Sequence, residues 1–185
     1  GVDAIPKIIS VASGGFLLGG NSSSNLSVNK SENSRGAGDY WVVKIDANGT
    51  KLWDKTYGGS GGDGLGQVLA TVDGGFLLGG SSSSNLSGDK SENSRGDADY
   101  WVVKIDENGT KLWDKTYGGS QEEIGTKIAP AVDGGFLLAG HSSSDASGDK
   151  TENSRGNKDF WVVTIDANGT KLWDKRYGGN VEDDC

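Results

Sequence analysis

Gly14-Gly15-Phe16-Leu17-Leu18 returns as Gly74-Gly75-Phe76-Leu77-Leu78 and again as Gly134-Gly135-Phe136-Leu137-Leu138, sixty residues further on each time. The six tryptophans keep the same period in two columns, Trp41, Trp101, Trp161 and Trp53, Trp113, Trp173. Self-similarity at a fixed period marks a repeat architecture, in which each unit buries its apolar faces against its neighbours. The chain therefore divides into units 1–60, 61–120 and 121–180, and 181–185 reads as the start of a further repeat or a tail. A catalytic residue is normally needed once. A residue written into every unit is scaffold, or part of a site presented several times.

Within a unit the pattern predicts four short strands, taken in unit 1 as a (Lys7 to Ala12), b (Gly15 to Gly20), c (Tyr40 to Asp46) and d (Thr50 to Tyr57). Strand c is β-branched and aromatic, and glycines punctuate the unit, so no helix is expected. Asp46-Ala47-Asn48-Gly49 links c to d, and Asn-Gly predicts a type I′ hairpin turn. Strand c alternates Tyr40 and Val42 on one face with Trp41, Val43 and Ile45 on the other. Bulk on both faces places its sheet between two others, and the mixed strand d, with Asp54 and Lys55 beside Trp53, suits an outer edge. The fold class that follows is all-β. Three four-stranded β-propeller-type blades are expected, part of a larger propeller or closed by oligomerisation. The alternative is an open β-solenoid-like stack.

Divergence between units is uneven. Residues 14–60 match 74–120 at 41 of 47 positions, but 1–13 match 61–73 at only 2 of 13, so strand a carries most of the change. As the innermost strand of a blade it would line a channel. Alternation sets Lys7, Gln67 and Lys127 toward the channel or solvent, and Ile8, Val68 and Ile128 toward a neighbouring blade. The six tryptophans are read as interblade core rather than as sugar-stacking platforms.

Composition excludes several classes. With 18 basic against 26 acidic residues the net charge is −8, which argues against a nucleic-acid partner. No apolar run is long enough to span a bilayer as a helix, so no membrane insertion is expected. The first residues lack a charged and an apolar region of a signal peptide, and residue 1 falls at a repeat boundary, as in a piece of a longer protein. The lone Cys185 has no partner for an intramolecular disulfide.

Chemistry-bearing motifs are few. His141 is the only histidine, with no second His or nearby Cys to make a zinc or nucleophile site, and reads as a surface-loop residue. Gly59-Ser60-Gly61-Gly62-Asp63-Gly64 has the spacing of a dinucleotide loop, but a strand follows it, so an interblade turn is the better reading. Asp46, Asn48 and Asp54 lack the remaining ligands of a calcium loop. The long b–c loop, Asn21 to Ala37, is the one candidate ligand site. It and its copies offer Asn25, Glu32, Asn85, Asp89, Glu92, Asp149 and Glu152, against the rival reading that the loop satisfies its own hydrogen bonds. No catalytic residue, metal site or cofactor is assigned.

The run from Asp73-Gly74-Gly75-Phe76-Leu77-Leu78-Gly79-Gly80 through Asp99-Tyr100-Trp101-Val102-Val103-Lys104-Ile105-Asp106 to Gly109-Thr110-Lys111-Leu112-Trp113-Asp114-Lys115-Thr116-Tyr117-Gly118-Gly119 resembles a known repeat. It is similar to the blade-like repeats of large secreted or surface proteins of bacteria that carry a type IX secretion system. The resemblance covers all three units. It implies an extracellular or cell-surface location and no defined activity. A weaker likeness, from Ile45-Asp46 to Trp53, is to the tryptophan-docking hairpin of quinoprotein propellers. It implies only a packing role for Trp53, Trp113 and Trp173.

Together these readings predict a non-enzymatic extracellular repeat module, a scaffold or adhesive surface. Its partners would be further blades of a parent chain or identical subunits head to tail, with glycans or proteins at its surface. The alternative is a multivalent carbohydrate- or calcium-binding propeller with one site per blade.

Overall fold

The computed structural model describes residues 7–181 and 183; Gly1–Pro6 and Cys185 lie outside the described residues. Unit 1 contributes β1 (Lys7–Ser10), β2 (Phe16–Ser22), β3 (Asp39–Ile45) and β4 (Lys51–Tyr57). Unit 2 contributes β5 (Asp63–Ala70), β6 (Phe76–Ser82), β7 (Asp99–Ile105) and β8 (Lys111–Tyr117). Unit 3 contributes β9 (Glu123–Pro130), β10 (Phe136–Ser142), β11 (Asp159–Ile165) and β12 (Lys171–Tyr177). Each unit is one open antiparallel meander in chain order, so the molecule is all-β and built of three propeller-like blades.

The c–d hairpin corrects the expected turn. Asp46 N–H donates to Thr50 O (2.9 Å) and Gly49 N–H to Asp46 O (3.1 Å), leaving three residues in the loop. Only Gly49 has a positive φ, of 84°, and no non-glycine residue described has one. This is a type I turn closed by a glycine bulge, not a type I′ turn. The extra residue shifts the register between Lys44 and Ile45. Asn48 needs no left-handed backbone because Asp46 Oδ1 accepts from the N–H groups of Asn48 (2.9 Å) and Thr50 (2.8 Å).

No sheet has a core of its own. One apolar cluster joins Leu17, Tyr40, Val42 and Tyr57 of unit 1 to Leu65, Val68, Phe76, Leu78, Trp101, Val103 and Ile105 of unit 2. The second joins Leu77, Tyr100, Val102 and Tyr117 of unit 2 to Ile128, Phe136, Leu138, Trp161, Val163 and Ile165 of unit 3. The alternation of strand c sorts residues between these clusters, and β7, with a neighbour on each side, is buried at all seven positions. Strand a of each later unit also lies on the preceding sheet: β5 packs on β1, β2 and β3, and β9 on β5, β6 and β7. No strand of unit 1 touches one of unit 3, so three blades do not close on each other.

Candidate functional site

What recurs is the junction between units, and its polar chemistry is built from repeated columns. Trp101 and Trp161 are fully buried, and each indole Nε1–H donates to an aspartate on strand d, Asp114 or Asp174, at 3.0 Å. Trp41 makes the same bond to Asp54 at 3.1 Å, but it is only half-buried because no unit lies behind it. Tyr40 lies against Trp101, centroids 4.8 Å apart, and its hydroxyl donates to Trp101 O (3.0 Å); Tyr100 and Trp161 repeat this at 5.1 and 3.1 Å. A Cβ on Gly80 would meet Gly64 O of its own sheet first, at 1.9 Å, and Tyr40 Oη at 2.6 Å, and one on Gly140 would meet Ile124 O at 2.4 Å and Tyr100 Oη at 2.7 Å, so strand a and the incoming hydroxyl both require the glycine.

The second tryptophan column docks forward onto the next hairpin. Trp53 Nε1–H donates to Glu107 O (3.2 Å), and the Trp53 ring covers Gly109 in the next hairpin. Beside it Tyr57 donates to Gly109 O and Tyr117 to Gly169 O, both at 2.5 Å. Trp173 and Tyr177, the last members of these columns among the described residues, are 47% and 58% exposed.

The b–c loop is ordered and folds back over strand d. Glu32 Oε2 accepts from Thr56 N–H (2.9 Å) and Arg35 donates to Thr56 O (2.7 Å), so the loop pairs the outward backbone groups of an edge strand. Glu32 Oε1 also takes Lys55 Nζ at 3.0 Å. Glu92 repeats the pattern with Thr116 N–H and Lys115, and Glu152 with Arg176 N–H and Lys175. Asp89 and Asp149 reach the preceding unit instead. Each accepts from a glycine N–H, Gly58 or Gly118, at 3.2 Å, and pairs with Arg35 or Arg95. Asn25 and Asn85 are exposed. Of the candidate ligand residues, Glu32 and Asp89 meet across the first junction on the Arg35 guanidinium, at 3.9 and 3.1 Å, where the cation fills the position a metal would need; no group of three or more His, Cys, Asp or Glu suited to a metal occurs among the described residues.

A lysine takes the centre of each loop. Lys30, Lys90 and Lys150 are 2–3% exposed. Lys30 Nζ donates to Glu32 O (2.8 Å) and Thr56 Oγ1 (2.7 Å), and Lys150 Nζ to Ser144 O, Glu152 O and Ser154 Oγ. Burial lowers the pKa of all three, opposed by nearby carboxylates. The missed signal was a lysine kept in every unit of a polar loop.

Burial on strand a alternates, but the polar column is not uniform. Val68 and Ile128 are buried against the preceding sheet, while Ile8, with none behind it, is 60% exposed. Lys127 is exposed and Lys7 half-buried. The Gln67 amide clasps the backbone of the next strand a, donating to Ile128 O (3.0 Å) and accepting from Ile128 N–H (3.1 Å). His141 corrects the surface-loop reading. It lies on β10, is 6% exposed, stacks near Phe160 at 5.8 Å and sets Nδ1 3.1 Å from Asp183 O. Strand b runs two residues beyond the expected Gly20, which carries this column out of the loop.

No protein-family model matches this chain, and no curated protein matches it. Among solved structures it is similar to a protein of unknown function from Bacteroides caccae, with a TM-score of 0.46 and 13% identity. The match covers 93% of this chain and 45% of that one, so this chain spans under half of that protein.

Proposed function

We propose that this chain is a non-enzymatic repeat module of an extracellular or cell-surface protein, serving as scaffold or interaction surface. The observation that carries the reading is the fate of its recurring polar residues. The Glu32, Asp54, Lys30 and Tyr57 columns are bound within a unit or to the next one. A loop whose Glu32 and Asp54 columns are engaged in all three units favours architecture over chemistry. The location rests on the resemblance to secreted repeats.

The partner that fits the forward face of unit 3 is a further unit of the same kind. The register of the repeat continues to Asp183, whose N–H donates to Lys158 O as Asp63 N–H does to Gly38 O. A copy of this chain fits less well. A Cβ on Gly88 would lie 2.4 Å from Gly58 O of the preceding unit, and unit 1 carries Val28 in that column. Further blades of a parent chain are therefore favoured over identical subunits head to tail. Mass in solution tests this: the isolated chain should self-associate weakly, and a chain extended by further units should become a soluble monomer. A tight dimer or trimer of this chain alone would reverse the preference.

One observation favours the carbohydrate alternative. A polar groove of about 240 Å³ lies at the first junction, lined by Glu32, Arg35, Lys55, Asp89 and Lys111 beside Tyr57. Titration with a panel of glycans, and separately with calcium, decides between the readings. Saturable binding lost in Arg35→Ala would replace scaffold with lectin.

A further inference from the structure

Each junction holds two buried carboxyl groups side by side. Strand c of one unit and strand a of the next both begin with an acid, Asp39 with Asp63 and Asp99 with Glu123. Parallel bridges at Gly38–Gly62 and Ala98–Glu122 align them, with Asp63 N–H donating to Gly38 O (2.7 Å) and Glu123 N–H to Ala98 O (2.6 Å). None of the four is more than 3% exposed.

Their known bonds leave an oxygen over. Asp39 Oδ2 accepts from Ser34 Oγ (2.5 Å) and Arg35 N–H (2.6 Å), and Asp99 Oδ2 from Arg95 N–H (2.5 Å). Across the junction Asp63 Oδ2 accepts from Gly59 N–H (2.7 Å) and Ser84 Oγ (3.0 Å). Glu123 accepts from Gly119 N–H (2.7 Å) and Ser142 Oγ (2.6 Å). Oδ1 of Asp39 and Oδ1 of Asp99 are buried without a partner. An ionised oxygen without a donor, beside a second carboxylate, is costly twice over. Protonating one acid supplies an O–H donor and removes one charge.

We propose that each internal junction is closed by a carboxyl–carboxylate pair sharing one proton, Asp39 with Asp63 and Asp99 with Glu123, so that coupling between units depends on pH. The surrounding charges agree. Lys30 faces Asp39, Lys90 faces Asp99 and Asp63, and Lys150 faces Asp159 first and Glu123 second, beside Arg176. The other acids near Lys30 and Lys90 are held elsewhere, Asp54 and Asp114 by Lys51 and Lys111 at 2.7 Å, and Glu32 and Glu92 by Lys55 and Lys115 at 3.0 and 2.8 Å. The Tyr40 phenol also feels Asp63 and stays protonated. Lys90 is shared between the two pairs and Lys150 between Glu123 and Asp159, so these acids do not each have a cation of their own. The third pair, Asp159 with Asp183, differs because Arg176 Nη1 lies 4.0 Å from Asp159 Oδ2, and it is not included.

Burial first, and Glu123 after it, push the Asp99 carboxyl up to about 6. Burial raises Asp63 as well, with Asp39 a smaller contributor. A raised carboxyl binds its proton in the folded state while the unfolded chain has lost it. The contribution is therefore complete below 3.8 and lost as pH rises through about 6. One proton per junction lowers the folding constant about tenfold per pH unit across that window.

The test is reversible unfolding of the chain from pH 4.5 to 7.5 in EDTA, repeated in calcium chloride. The chain should lose stability as pH rises through about 6. Asp99→Asn and Glu123→Gln, which keep a donor without the charge, should each flatten that slope and raise stability at pH 7. If the variants do not fold, carbon NMR of the Asp99 carboxyl in the unaltered chain should titrate near 6. Titration near the ordinary carboxylate value, a flat profile, or stabilisation by calcium that both variants abolish would overturn the proposal; the last would make the pair a cation site.

Discussion

The junction between units 2 and 3 and the forward face of unit 3 are built from the same columns, yet one is sealed and the other open. Tyr117 is 3% exposed and Tyr177 58%. Trp113 rests on Gly169 while Trp173 rests on nothing described ahead of it. Identical residues thus have different energies, because a blade supplies half of an interior and borrows the other half. The third unit also departs from the others where a following unit would press. Ala139 replaces Gly19 and Gly79, and Phe160 replaces the tyrosines whose hydroxyls reach the next backbone. Those changes alter the fit of the open face without closing it.

The sharpest break of the comparison is at the tryptophans. Trp101→Ala should cost about 3–5 kcal/mol by emptying a sealed junction. Trp41→Ala, on the open rear face, should cost roughly half that, since less apolar area leaves water there. Denaturant unfolding of both variants checks it, and equal losses would mean that the rear face is sealed too.

Next comes the aspartate that anchors the indole. Asp114→Ala strands the N–H groups of Ser91 and Trp101, and should cost about 3 kcal/mol. Burial alone would raise Asp114, but bonds from Lys111, Ser91 and Trp101 outweigh it and hold its pKa below 3.8. Its stabilisation is therefore full above 3.8 and lost as pH falls through its lower folded value, the reverse of Asp99. A pH series on Asp114→Asn should show reduced acid sensitivity below pH 4 and an unchanged profile near pH 6.

A smaller contrast lies in the tyrosines. Tyr117→Phe removes one buried bond to Gly169 O and should cost about 1 kcal/mol, whereas Tyr177→Phe should cost about 0. Adding a fourth unit should raise the second value to match the first. Smallest is Glu92→Ala, whose pair with Lys115 is part-exposed and worth about 1 kcal/mol or less. Its visible effect should be faster aggregation by light scattering, because Thr116 N–H on an edge strand loses its cover.

Legibility followed periodicity. The sixty-residue period, the four strands, the edge position of strand d and the two-sided burial of strand c could all be read from residue order. Each depends on alternation along the chain, and the local pattern carries it. The period also flagged which columns matter without saying how. Glu32 and Asp89 looked like ligands because oxygen-rich loops bind cations, but their partners, Thr56 and Gly58, lie more than twenty residues away and meet them only when the loop folds back. His141 looked like a loop residue because Gly-rich strand ends are poorly bounded in sequence.

Sequence alone determined the unit, its meander and the faces that must be covered, since those follow from local geometry repeated without insertion. Only the tertiary structure decided which unit covers which face, that a buried lysine centres each loop, and that Asp39 meets Asp63 across a junction. Those outcomes depend on the angle and distance at which one sheet rests on the next, and no residue's own neighbours in the chain encode that.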